Sequence, residues 1–274
     1  VSFSRQPNAW LCGPFALKHA LLLLGRPADE QQLARLAGSD HRGTDELELA
    51  RAARSFDCEL GTVRTRDPES ARRELTSQLG ETRPVLLCIE QWDHWVVAAH
   101  EHDDTFVIVD SRAGAIFRVL PWEYLRELLV YRESRREREL YDLHPLIPLR
   151  DAGLRPELTI DRARFLQEWE HQDVARHWNR FLADACEVFG GANGDETPLL
   201  SPGDFFGRQE PVLLDAVAPS NDSGQRSRAR RLLRGIRFIA DTYDLRLAEP
   251  EAPDAARRLE RILCRRLEGR EVDG

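Results

Sequence analysis

"PVLLCIEQWDHWVVAAHEHDDTFVIVDSRAGAIFRVL", Pro84 to Leu120, contains the short β-rich runs PVLLCIE, HWVVAAHE, TFVIVD and AIFRVL, separated by turns. The connections are too short for the crossover helices that parallel neighbours need, so these runs predict an antiparallel sheet. Helical patterns come before them. Gly13 to Leu24 reads as a helix with Pro14 in its first turn and Gly25 as its stop. "PADEQQLARLAG" predicts a second helix ending at Gly38, and "TDELELARAARSF" a third, with Thr44 as candidate N-cap and an acidic first turn. "CELGTVRT" reads as a strand, "ESARRELTSQLG" as a helix, and Pro121 starts the helix "PWEYLRELL". Helices followed by consecutive strands imply an α+β domain.

From Tyr131 the composition changes, through the charge-dense "YRESRRERE" and the proline-containing "LHPLIPLRDAGLRP". This change is expected to mark a boundary, giving an N-terminal domain over 1–150 and an all-helical C-terminal domain over 151–274. Candidate helices in the second are Ile160 to Phe189, Pro202 to Ala218, Gln225 to Leu245 and Pro253 to Leu267, with "GGANGDE" and "APSNDSG" as loops.

The 274 residues, 42% hydrophobic, suffice for two cores. A formal charge of -8 argues against a general polyanion binder, nucleic acid included, and Lys18 is the only lysine, so any basic patch is local and built of arginine. The five cysteines, Cys12, Cys58, Cys88, Cys186 and Cys264, are odd in number and scattered, with no C-x-x-C pair. Reduced thiols and a cytoplasmic location are expected. The longest apolar run, Ala20 to Leu24, is far short of the roughly 18 to 20 residues of a membrane span, and no signal pattern opens the chain, so a soluble, untargeted protein is expected. The chain contains no methionine, which places the natural start codon upstream or marks its removal.

In "QPNAWLCGPFAL", Gln6 to Leu17, a cysteine stands directly before Gly-Pro at the start of a leucine-rich helix. Cys12 is either a small apolar residue at the edge of a core helix or a nucleophile whose thiolate the helix N-terminus favours, with Gln6 as an oxyanion donor. His94 opens one predicted strand and Asp110 closes the next. If the two strands are antiparallel neighbours, these side chains can meet, as a nucleophile with a base and an orienting group requires.

These residues carry a resemblance. Gln six positions before Cys, "CGP", "LARLAG" with "GTD", "RPVLLCIE" with "HWVV", and Asp sixteen positions after His resemble the papain-like double-glycine leader peptidase family, found as the peptidase domain of bacteriocin-exporting ABC transporters. The likeness spans about Gln6 to Leu129. It implies a papain-like fold with Cys12 as nucleophile, His94 as general base and acid, Asp110 as its orienter and Gln6 as side-chain oxyanion donor, acting on a peptide or protein substrate without a cofactor. Leu11 stands where an acidic residue often precedes the cysteine, and Ser111 replaces the proline that often follows the aspartate. No ATPase motif or membrane span follows, so an exporter is not expected. The same site admits an acyl transferase, and a peptidase fold that holds peptide without turnover is the reading from another class, with the C-terminal helices as a substrate or partner interface.

Other residues read more plainly. Cys58 and Cys88 fall in strand patterns as core residues, and Trp92 and Trp95 are either core aromatics or the wall of a groove. His100 and His102 flank a hairpin turn and are expected to face solvent. Glu168 and His171 form an E-x-x-H pair with no second such motif, and His177 shares no helical face with His171, so no metal is assigned. "RSRARRLLRGIRF" sets six arginines between Arg226 and Arg237 beside the apolar Leu232, Leu233, Ile236 and Phe238. It is expected to be a solvated helix face pairing with acids such as Asp241 or Glu249, with nucleic-acid or acidic-partner binding as the alternative.

Overall fold

The computed structural model describes residues 2–112, 114–133, 138–151, 153–190, 198–218 and 222–268. Residues 134–137 of the charge-dense stretch, 191–196 of "GGANGDE" and 219–221 of "APSNDSG" lie outside the described residues. The chain divides into two compact units, Val1–Arg176 and His177–Gly274.

The first unit starts with three helices, α1 Cys12–Leu23, α2 Glu30–Ala37 and α3 Glu46–Arg54. Every residue of α1 is buried, Lys18 and His19 included. Helix α2 ends at Gly38, whose φ of 73° is the left-handed conformation that glycine adopts without strain. The N-cap of α3 is Asp45 rather than Thr44. Its carboxylate accepts from the Glu48 amide at 2.8 Å while the Glu48 side chain accepts from the Asp45 amide at 3.0 Å. A carboxylate serves both the unpaired amides and the helix dipole, and Thr44 is left free for another task.

The sheet that follows is antiparallel. Strands β1 Cys58–Leu60 and β2 Val63–Thr65 precede helix α4 Pro68–Gly80. Then come β3 Val85–Ile89, β4 His94–His102, β5 Thr105–Val109, β6 Phe117–Pro121, helix α5 Trp122–Leu129, β7 Tyr131–Glu133 and β8 Arg138–Pro148. The strand order is β1-β8-β3-β4-β5-β6, with β2 and β7 also paired to β8. Leu75 and Leu79 of α4 and Trp122, Leu125 and Leu129 of α5 pack with Val85, Leu87, Val96, Phe106 and Ile108 of the sheet, while α1 packs against β3 and β4. Strand β3 is buried at every residue, the mark of a strand covered on both faces.

"LHPLIP", part of the stretch whose composition change is expected to mark the boundary, lies in strand β8 inside the sheet. Leu86 pairs with His144 on one edge of β8, and Val63 and Leu60 pair with Leu143 and Leu146 through β2 and β1. Pro145 fits inside a sheet because it sits opposite the break between β1 and β2. There its carbonyl accepts from Gly61 at 2.9 Å, and no strand residue needs the amide hydrogen that proline lacks. A Cβ on Gly61 would come within 3.1 Å of the Pro145 ring, so the glycine lets the chains approach.

The expected helix Ile160 to Phe189 is broken. It comprises α6 Ile160–Gln167, a 3-10 turn Trp169–His171, α7 Gln172–Arg176 and α8 Trp178–Phe189. Glu168 is extended, at φ -63° and ψ 131°, and its carboxylate lies 3.3 Å from His171 Nε2, while His171 stacks on Phe165 at 3.8 Å. The E-x-x-H pair thus ties down a chain break. Because α6 packs against β6, it belongs with the sheet, and the chain divides at Arg176 rather than at 150.

The second unit contains α8, α9 Pro202–Val217, α10 Ser223–Thr242 and α11 Ala252–Leu267. It also holds a two-residue ladder between β9 Leu199–Leu200 and β10 Leu247–Ala248, a small exception to an all-helical domain. Trp178 is fully buried and donates from Nε1 to the Tyr243 hydroxyl at 2.9 Å. On α10, Leu233, Ile236 and Phe238 are buried as expected. Arg237 lies 3.6 Å from Asp241 and Arg226 2.8 Å from Asp215, whereas Glu249 pairs with Arg208 instead.

Helix α10 meets α8 at Gly235, where an added Cβ would lie 2.5 Å from the Phe181 ring. Gly235→Val is therefore expected to cost about 1–3 kcal/mol through overpacking. Urea unfolding of the full chain, followed by tryptophan fluorescence, checks it; an unchanged midpoint would remove this contact as a packing constraint.

Candidate active site

Cys12 enters α1 from a 3-10 turn, Ala9–Leu11, and Leu11 offers no capping side chain. The first amides of α1 are therefore not consumed by a cap, and the positive end of the dipole falls on the sulfur. Gly13 is required next to it, because a Cβ there would meet the Thr44 Cβ at 3.0 Å and Leu49 at 3.3 Å. Thr44, released from capping, accepts from Trp95 Nε1 at 2.9 Å through its carbonyl and shares a 2.6 Å bond between its hydroxyl and that of Ser39. Helix α3 is thereby tied to the strand carrying His94.

The His94 and Asp110 side chains meet, as the hairpin reading requires. Val97 pairs with Val109, and continuing that register puts Asp110 opposite Val96, which makes it the diagonal neighbour of His94 on the same side of the strands. His94 Nε2 and Asp110 Oδ1 are 2.7 Å apart, and the two residues are 1% and 3% exposed. Asp110 Oδ1 also accepts from the Arg112 amide at 2.9 Å, and Oδ2 lies 3.4 Å from the Arg118 guanidinium. With Nε2 engaged, Nδ1 is the ring nitrogen left to act on the Cys12 thiol, which the neighbouring His94 holds below its ordinary value.

The electrostatics follow from these contacts. Burial pulls the Cys12 thiol upward, but the bond to His94, the Trp95 and Gly13 amides and the imidazolium charge together bring it below the ordinary thiol value. Burial disfavours the His94 imidazolium, yet the bonds to Asp110 and Cys12 push it up to about 9. Burial also opposes the Asp110 carboxylate, which His94 and the Arg112 amide hold down at about 2. Cys58 and Cys88 behave oppositely, each raised chiefly by burial.

The approach to His94 is strained. Glu90, Gln91 and Trp92 all have positive φ, 55°, 59° and 66°. The turn is held by the Glu90 amide on the Leu128 carbonyl at 2.8 Å, by Gln91 bonds to Val130 and Arg132, and by Trp92 stacked on Tyr131 at 3.9 Å. Both Trp92 and Trp95 line a cavity of about 480 Å³, together with Thr44, Cys88, Asp142 and His144. Cys88 is accordingly a core thiol with one side on a cavity. His100 is half-buried rather than solvent-facing, and His102 is exposed.

Gln6 is placed by two strands of interaction. Its amide donates to the Ser111 carbonyl at 3.1 Å, and its side-chain Oε1 accepts from the Ser111 hydroxyl at 2.6 Å. Its Nε2 faces the turn that leads into Cys12, donating to the carbonyls of Asn8 at 2.8 Å and Ala9 at 3.3 Å. Several supporting residues escaped sequence reasoning. The sole lysine, Lys18, is buried and binds Ser4 Oγ at 2.7 Å and Glu30 at 2.9 Å. His19 accepts from the Ser4 amide at 3.2 Å and is pushed down to about 3 by burial and the adjacent Lys18 charge, so it is neutral. A charged residue inside an apolar helix was the available signal for Lys18. Among the described residues, no group of three or more metal-ligating side chains is gathered, and no helix is long and apolar enough to cross a membrane.

Residues 1–119 match the model of the Peptidase C39 family. Solved structures similar to the chain include three peptidases. The peptidase domain of Streptococcus ComA, a bi-functional ABC transporter involved in quorum sensing, is 17% identical with a TM-score of 0.42, covering 54% of this chain and 98% of that one. A double-glycine-motif protease from an AMS/PCAT transporter, in complex with the leader peptide, is 21% identical with a TM-score of 0.40, covering 52% and 89%. A putative C39-like peptidase from Bacillus anthracis is 13% identical with a TM-score of 0.37, covering 53% and 94%. No curated protein matches the chain.

Asp110 is the main group that raises His94, and the His94 imidazolium in turn helps lower Cys12, so Asp110→Asn is expected to move both back toward their ordinary values. The Cys12 pKa rises and the His94 pKa falls. Iodoacetamide alkylation of Cys12 measured against pH should show its midpoint moved upward. At a fixed pH below the midpoint, the rate should drop about tenfold for every pH unit by which the midpoint moves. An unchanged profile would mean that Asp110 does not support the pair. For stability, the Asp110 contribution is present above its unfolded value near pH 4 and is lost as pH falls toward about 2. The His94 contribution is present below about 6.5 and is lost as pH rises through about 9.

Proposed function

We propose that this chain, whose residues 1–119 match the Peptidase C39 family, is a cysteine peptidase in which Cys12, His94 and Asp110 form the catalytic group. The observation that carries the reading is the buried 2.7 Å contact between His94 and Asp110, beside a cysteine at a helix start whose thiol His94 holds below its ordinary value. In the proposed reaction the Cys12 thiolate attacks a peptide carbonyl, forming the carbon–sulfur bond and an oxyanion. His94, protonated, gives its proton to the leaving amine as the carbon–nitrogen bond breaks. Water, deprotonated by the now neutral His94, then attacks the thioester, and the thiolate leaves. These groups supply nucleophile, acid and base, so the mechanism calls on no cofactor.

Gln6 is proposed as the side-chain oxyanion donor, together with the first amides of α1. Its Nε2 already faces the turn before Cys12, and the 3.3 Å bond to Ala9 is long for a neutral pair. A developing oxyanion would compete well for that hydrogen, since charge-assisted bonds are roughly twice as strong. The helices of the second unit are proposed to recognise a peptide or protein partner, and the cytoplasm is the proposed compartment for a protein with free thiols.

Alkylation by iodoacetamide near neutral pH, read by peptide mapping, tests the nucleophile. Cys12 is expected to be modified at least about tenfold faster than Cys58 and Cys88, whose thiols burial keeps protonated. Incubation with a synthetic peptide library in H₂¹⁸O should yield products carrying ¹⁸O at new carboxyl termini, absent with Cys12→Ala. Equal labelling of the three thiols would sink the reading. Products without ¹⁸O would mean acyl transfer, and intact bound peptide would mean a binding module.

A further inference from the structure

We propose that Ser111 is a positioning residue that holds the Gln6 carboxamide toward the Cys12 turn, an inference that rests on the reading of Gln6 as oxyanion donor. Ser111 is only 2% exposed, so its hydroxyl must find its partner within the protein. That partner is Gln6 Oε1, at 2.6 Å, a short bond in which the hydroxyl donates. A carboxamide whose oxygen is bound on one side presents its nitrogen on the other, and here Nε2 faces the Asn8 and Ala9 carbonyls at the entrance to α1. Reversing the amide would set its oxygen against two carbonyl oxygens.

Ser111 acts on the side chain rather than on the arm that carries it. The arm is anchored independently: Phe3 is fully buried with its ring edge-on to Phe117 at 4.9 Å, the Ser4 amide is bound by His19, and the Ser4 hydroxyl by Lys18. The Gln6 amide uses the Ser111 carbonyl, which any residue at 111 provides. Only the hydroxyl is particular to serine. The proline that often stands here in the resembling family would supply the carbonyl and not the hydroxyl, so this chain has an additional constraint on Gln6. The residue before Ser111 is Asp110, which holds His94, and the next is Arg112, whose amide binds Asp110. One three-residue loop thus places the acid and the proposed oxyanion donor.

The test compares two probes at Cys12 that need no knowledge of the natural substrate. Acylation by p-nitrophenyl acetate passes through an oxyanion, whereas alkylation by iodoacetamide does not. Both are measured on the full chain for wild type, Gln6→Ala, Ser111→Ala and the double variant, with Cys12→Ala as background. Gln6→Ala should slow acylation roughly 10- to 1000-fold. Ser111→Ala should slow it about 3- to 30-fold, the effect of losing one neutral hydrogen bond, with alkylation within about twofold of wild type. The double variant should be no slower than Gln6→Ala alone, because Ser111 acts through Gln6. Normal acylation by Gln6→Ala would overturn the reading of Gln6 and this inference with it. A slow Gln6→Ala beside a normal Ser111→Ala would overturn the inference alone. Equal losses in both assays, or multiplying effects in the double variant, would also overturn it, since Ser111 would then act on the fold or on another group.

Discussion

A protonated imidazole inside a protein needs a carboxylate beside it, and this constraint organises the first unit. His94 and Asp110 are both nearly inaccessible to water, so each would be expensive to ionise alone. Together, at 2.7 Å, with the Arg112 amide and the Arg118 guanidinium completing the shell of Asp110, each favours the charged form of the other. The pairing exists only in one register of β4 against β5. Shifting that ladder by one residue would turn one partner to the other side, so the electrostatics and the sheet specify each other.

The surroundings explain how a cysteine is held against that pair. Helix α1 is buried along its whole length, so it cannot slide without disrupting the core, and its uncapped start points at the site. Trp95 reaches the carbonyl of Thr44, whose side chain stands over Gly13, and so links α3, α1 and β4 around Cys12. Three consecutive left-handed residues, Glu90 to Trp92, are tolerated just before His94 because β7 and α5 supply their partners. Strain concentrated at this turn sets the direction from which the imidazole enters.

Much of this was legible in the chain itself, for identifiable reasons. The short β-rich runs between Pro84 and Leu120 are legible as strands because turns bound them at lengths too short for helices, and the two ends that meet carry His94 and Asp110. The stretch after Tyr131 was not legible. Pro145 and Pro148 belong to the stretch read as a change of composition, yet Pro145 is accommodated opposite the break between two short strands, a break visible only once β1 and β2 are paired. The segment from Ile160 to Phe189 has a continuous helical pattern, but α6 finds its partner on β6 and α8 on α10, so the chain bends where its partners change.

What the sequence by itself determined is local: helix starts and stops, strand periodicity, and the order in which Gln6, Cys12, His94 and Asp110 occur. These follow from backbone sterics and from which side chains can satisfy unpaired amides, and a neighbour in the chain is enough to decide them. Only the tertiary structure decided that the Thr44 carbonyl would receive Trp95, that β8 would enter the sheet, and that the hydroxyl of Ser111 would bond the carboxamide oxygen of Gln6. The physical reason is that a buried polar group must be satisfied by whatever folding brings within about 3 Å of it, and that partner, as far away as residue 111 is from residue 6, leaves no periodic trace in the chain.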